Sequence, residues 1–176
     1  MRRFVPTKWS LSGICGVSSV ARIHSEGRRM KAITFESPGK ADDLRWTEVG
    51  VPELSGDEVL LKVNMTAVNR ADIVQRKGNY PPPKGVTDIL GLECVGEIVQ
   101  SFEGGNAKTD GRNYMALLAG GGYAEYAKVH RDHLIPVPDY LTVPDAAAIM
   151  EVWLTAYQLL VWKADVQPGN TVLVYG

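Results

Sequence analysis

Residues 59–67 alternate with a strict period of two: Val59, Leu61, Val63, Met65 and Ala67 fall on one side, and Leu60, Lys62, Asn64 and Thr66, mostly polar, on the other. That period belongs to a strand, and it predicts one core face and one partly wet face. Shorter runs of the same character occupy 31–36, 44–49, 92–99, 114–118, 122–129 and 134–137, with a Pro38-Gly39 turn after the first and Gly, Asn and Asp between the later ones. Many short strands with punctuating turns predict a small antiparallel barrel or sandwich. After Asn69 the segment RADIVQRKG has helical composition and stops at Gly78, a residue suited to the left-handed turn that closes helices.

The pattern changes at Thr142. VPDAAAIMEVWLTAYQLLVWKAD predicts a helix with Pro144 and Asp145 in its first turn, where a fixed φ and a carboxylate are both favourable. VQPGN then predicts a turn, and TVLVYG a continuous apolar strand of the parallel-sheet type. The chain is thus read as mainly β with α, a β-rich module followed by helix, turn and buried strand.

Composition narrows the function classes. Of 176 residues, 45% are hydrophobic and 22% charged, the balance of an ordinary globular protein. No apolar run reaches the ~18 residues of a membrane-spanning helix. A net charge of −1, without aromatics interleaved among cations, argues against nucleic acid as a partner. The two cysteines, Cys15 and Cys94, suggest neither a disulfide framework nor a Cys-rich zinc site and fit a reducing compartment. Charge is unevenly placed, however: residues 1–29 carry Arg2, Arg3, Lys8, Arg22, Arg28 and Arg29 against the single acid Glu26. A basic, Ser-containing, acid-poor leader followed by Met30 reads as a mitochondrial targeting segment, the alternative being a cytoplasmic protein that starts at Met30.

Three residues stand out as candidate chemistry. Asn69 lies between a strand and a helix, where it can cap the helix or use its amide on a bound ligand. Tyr80, in GNYPPP, is presented by a loop stiffened by the prolines behind it, so its ring can stack on a flat ligand and its hydroxyl can donate a hydrogen bond; packing on those prolines is the alternative. On the late helix, Glu151, Thr155 and Gln158 fall at i, i+4 and i+7 and share one stripe, which faces either solvent or a cleft. His130, Asp132 and His133 lack a fourth ligand and read as surface residues. Gly120, Gly121 and Gly122 precede a strand instead of opening a helix, so they read as hairpin glycines and not as a phosphate loop.

The stretch AVNRADIVQRKGNYPPPKGVTDILGLECVGEIV, with GGGYAEY and MEVWLTAY further on, resembles the zinc-independent quinone oxidoreductases of the medium-chain dehydrogenase/reductase superfamily, nearest the p53-inducible quinone oxidoreductase-like group. The resemblance covers residues 30–176. It implies a GroES-like, partly open β-barrel over 30–143, the truncated start of a Rossmann α/β domain over 144–176, and 1–29 as leader or extension. It further implies an NADPH-dependent oxidoreductase acting on a quinone or enone, with Asn69 and Thr155 at the nicotinamide end, Tyr80 at the acceptor, and a homo-oligomer for the complete protein. The zinc-ligand positions of related alcohol dehydrogenases read Asn69, Leu92 and Glu151, neither thiolate nor imidazole, which implies no catalytic metal. The cofactor's phosphate loop is expected after Gly176, so an inactive truncated isoform or interaction fragment is the alternative reading. Two departures from the family stand out: Met150 in place of a proline, and the turn in DGRNYMALL.

Overall fold

The computed structural model describes residues 27–101 and 110–175. Most of the leader therefore lies outside the described residues. Strands β1 (Arg29–Thr34) and β2 (Arg45–Gly50) form an antiparallel ribbon in which Met30 pairs with Val49. Arg29, assigned to the leader, is thus the first residue of β1. Strands β3 (Glu58–Thr66), β4 (Glu93–Ser101), β5 (Tyr114–Leu117), β6 (Tyr126–His130) and β7 (Leu134–Pro136) build an antiparallel sheet in the order β6-β3-β4-β5-β7. The ribbon docks on this sheet through an Ala32–Ala124 bridge and the hydrogen bonds Ile33 N–H to Tyr123 O and Glu125 N–H to Lys31 O. The two sheets remain open, as a partly open barrel requires.

The alternation read in β3 holds only for part of its length. Val59 and Leu61 pack with Cys94, Ala116, Ala127 and Val129, but Leu60, placed on the wet face, is buried against Met30, Ala32, Val51 and Ala124 under the ribbon. The first half of β3 is therefore covered on both sides. Irregularities between Leu60 and Leu61 and between Val63 and Met65 then change which side chains face inward, so Met65, expected in the core, is exposed. Of the expected 122–129 strand only the second half is strand; its first residues make the turn and bridge that hold the ribbon.

Helix α1 (Arg70–Arg76) runs as expected and closes at Gly78, whose φ of 81° is left-handed. The late helix is broken. It forms as α2 (Val143–Ala146), capped by the Thr142 hydroxyl, then α3 (Val152–Tyr157) and a π-helical turn at Gln158–Lys163. At the break the Glu151 amide donates to a Glu93 carboxylate oxygen at 3.1 Å, so a side chain from β4 takes the place of the helix's own ladder. Ala146, Ala147 and Met150 pack on Val95 and Met115, so Met150 is a core residue.

The expected strand at 171–175 does not form. Val172, Leu173, Val174 and Tyr175 are exposed and unassigned to any sheet, since a parallel strand needs neighbours for its backbone groups and none among the described residues pairs with it. Trp153, Tyr157, Leu159 and Trp162 are likewise exposed on the last helical turns. Among the described residues no helix is long and apolar enough to cross a membrane.

Candidate functional site

Where β3 ends and α1 begins, the chain buries an unusual concentration of polar groups: Asn69, Asp72, Gln75 and Glu93, the last only 1% exposed. Burial of a carboxylate is costly unless donors surround it, so the donors define the site. Asp72, three residues after the N-cap Asn69, reaches back to the Asn69 backbone N–H (2.7 Å). The same carboxylate accepts from the Tyr123 hydroxyl (3.0 Å) and, through its second oxygen, from Gly91 N–H (3.2 Å). Glu93 accepts from the Asn69 side-chain Nδ2 (2.8 Å) with Oε1 and from Glu151 N–H with Oε2. The Thr66 hydroxyl donates to the Glu93 carbonyl (2.6 Å) and fixes β3 beside it.

This arrangement depends on two glycines. Gly122 N–H donates to Gly91 O at 3.0 Å, and a Cβ on Gly122 would lie 2.8 Å from Glu93 O and 3.0 Å from Gly91 O. Gly91 itself has φ 102° and no room beside Gly122. The hairpin and the β4 lead-in thus meet backbone to backbone, and that approach carries the Tyr123 ring over to Asp72.

The electrostatics are acidic. Burial, then Glu93, then Asp72 push the Glu151 carboxyl above its ordinary value. Burial and the adjacent Asp72 charge likewise raise the Tyr123 phenol, keeping it protonated as a donor. Cys94, next to Glu93, is driven up to about 12 by burial and that neighbouring charge, so its thiol is inert. No group of three or more His, Cys, Asp or Glu side chains among the described residues is arranged to hold a metal ion.

Of the three residues singled out in the sequence, only Asn69 belongs to this cluster: it is both the N-cap of α1 and a donor to Glu93, which in turn holds the backbone N–H of Glu151 at the start of α3. Thr155 is solvent-exposed. Tyr80 is 51% exposed and lies beyond the opposite, C-terminal end of α1. His130 and His133 pack on each other at 5.7 Å, and the His130 Nδ1 accepts from Asp132 N–H, a surface arrangement. A cavity of about 710 Å³ beside β6 is lined by Thr87, Gly120, Tyr126 and His130 and by none of the three candidates.

The sequence reading singled out none of Asp72, Glu93 and Tyr123. Two signals were there: the N-x-x-D spacing of a capping box, and an acid inside the otherwise apolar GLECVG.

Residues 55–139 match the alcohol dehydrogenase GroES-like domain. The quinone oxidoreductase of Lama guanicoe is 34% identical over 157 residues, covering 85% of this chain and 46% of its own length. Among solved structures, the quinone oxidoreductase of Coxiella burnetii superposes with a TM-score of 0.71 at 27% identity, over 81% of this chain and 47% of that one. That of Thermus thermophilus, solved also in complex with NADPH, gives 0.64 at 34% identity, over 80% and 42%. The chain thus spans about half the length of these relatives. Open antiparallel sheets, the GroES-like match and these neighbours define a member of the medium-chain dehydrogenase/reductase superfamily. Within that superfamily the chain is homologous to the quinone oxidoreductases.

Proposed function

We propose that this chain supplies the acceptor-side part of a zinc-independent, NADPH-dependent reductase of quinones or conjugated carbonyls. The observation that carries the reading is the Glu93 bridge, which sets Asn69 of α1 and the start of α3, the helix that carries Thr155, around one buried carboxylate. These residues fit a nicotinamide: Asn69 offers an amide and Thr155 a hydroxyl, the groups that match a carboxamide and a ribose. When bound, NADPH supplies the hydride. From the loop beyond α1, Tyr80 would donate a hydrogen bond and a proton to an acceptor oxygen that reaches it, which together with the hydride would convert a quinone to a hydroquinone. Its half-exposed hydroxyl recovers the proton from water. The positions that resemble the metal-ligand sites of related alcohol dehydrogenases carry Asn69, Leu92 and Glu151, with no thiolate or imidazole, which supports activation of the acceptor by hydrogen bonds instead of a Lewis acid.

The exposed Trp153, Trp162 and Leu173 favour a second reading, an interaction fragment without catalysis of its own. The cationic leader supports a mitochondrial destination; a reporter fused to residues 1–29 tests it, and a diffuse cytosolic signal would count against import. For the main proposal, NADPH and 1,4-benzoquinone are titrated into the 15N-labelled chain at millimolar concentration. Asn69 and Thr155 resonances should move with NADPH, and those around Tyr80 with the quinone. If neither ligand shifts these residues, the reading as an oxidoreductase site fails.

A further inference from the structure

The Glu93 carboxylate is buried at 1% exposure, and no salt bridge among the described residues reaches it. Its charged neighbours are acids: Asp72 from α1 and Glu151 from the start of α3. A carboxylate held this way weakens the fold electrostatically, so its retention calls for something an apolar side chain cannot do. Both oxygens are used on donors that belong to different elements, the Asn69 Nδ2 and the Glu151 N–H. An ionised carboxylate accepts on both sides and donates on neither, so it determines which end of the Asn69 amide turns inward and also breaks the helix at Glu151.

We propose that Glu93 is a positioning residue, which fixes the orientation of the Asn69 side-chain amide and couples it to the first turn of α3. The inference rests on the reading above only for what Asn69 then contacts; the orientation itself is a property of the chain. A glutamine at 93 that keeps the Glu151 N–H on its oxygen turns its own NH2 toward Asn69, so Glu93→Gln must either release the Asn69 NH2, with that amide flipping to accept, or give up Glu151. Exchanging the two roles, with Asn69→Asp and Glu93→Gln together, restores a donor–acceptor match on both sides at unchanged net charge.

Hydrogen exchange and NMR on the 176-residue chain test this. In Glu93→Gln the Asn69 side-chain NH2 or the Glu151 amide should exchange about tenfold faster, the weight of one net hydrogen bond, while the Asn69 backbone amide, held by Asp72, keeps its rate. The double exchange should restore Glu151 protection and the melting temperature. A single variant with unchanged exchange at both sites, or a double variant no better than the single, overturns the proposal. Should Glu93→Gln not fold, the double variant decides alone, since recovery of folding requires the pairing. NADPH shifts are read in parallel: their absence in the unmodified chain would defeat the reading of Asn69 as a nicotinamide contact, while the exchange rates would still decide the role of Glu93.

Discussion

Removing the Asp72 carboxylate should cost more than relief of its acidic neighbourhood returns. Its oxygens accept from two buried backbone N–H groups, Asn69 and Gly91, and from the Tyr123 hydroxyl. In Asp72→Ala both backbone donors lose their partner, at about 1–3 kcal/mol each, whereas the part-buried hydroxyl can turn to water; the expected loss is about 4 kcal/mol. Asp72→Asn keeps the shape. Its single oxygen can serve Asn69 or Gly91 but not both, and the hydroxyl can rotate to accept from the new amide, so one orphaned N–H remains and about 2 kcal/mol is lost. Set against the roughly 5–15 kcal/mol typical of a domain, both losses are measurable by urea denaturation followed by far-UV circular dichroism, with m held constant. If Asp72→Asn is neutral or stabilising, or if the alanine variant is the more stable of the two, repulsion from Glu93 and Glu151 outweighs the hydrogen bonds and the account of this site is wrong.

Other outcomes are expected. Because the folded chain raises the Glu151 pKa, the stabilisation linked to its protonation is complete below the ordinary value of 4.5 and is lost as pH rises through the raised folded value; Glu151→Gln should abolish that slope and melt higher at neutral pH than the unmodified chain. Gly122→Ala should cost about 1–3 kcal/mol in the same urea assay, because its Cβ meets backbone oxygens that cannot move aside, while Gly50→Ala, with nothing within 4 Å, should stay within about 0.5 kcal/mol. Replacing the exposed Trp153 and Trp162 with glutamate should reduce self-association in size-exclusion chromatography without lowering the melting temperature of the β core, and a lowered melting temperature would mean that these rings are packed.

Local signals in the sequence were enough for the short strands, α1 and its closing Gly78, because period, turn residues and caps act within a few positions. They failed where distant parts decide. Leu60 is buried by the ribbon from the far end of the chain, and no periodicity within β3 could announce that cover. The apolar run TVLVYG reads as a buried strand, yet burial and pairing come from neighbours, which these residues lack among those described. Asn69 was legible because a strand–Asn–helix junction is itself local. Glu93 was not, because its two partners come from α1 and from the start of α3, 24 and 58 positions away.

The docking of the β1–β2 ribbon has a bearing on how the chain is made. Lys31 and Glu125, joined by backbone and side-chain hydrogen bonds, are 94 positions apart, so the ribbon can pair with itself soon after synthesis but cannot be covered until the segment at 122–126 has emerged. At the ~5–20 residues per second of translation, that leaves Met30 and Ala32 without the cover of Ala124 for about 5–20 s. Any machinery that engages the cationic first residues as they appear therefore meets an unfinished barrel, in which the β1–β2 and β3–β4–β5 ladders can form but the ribbon is not yet docked on the sheet.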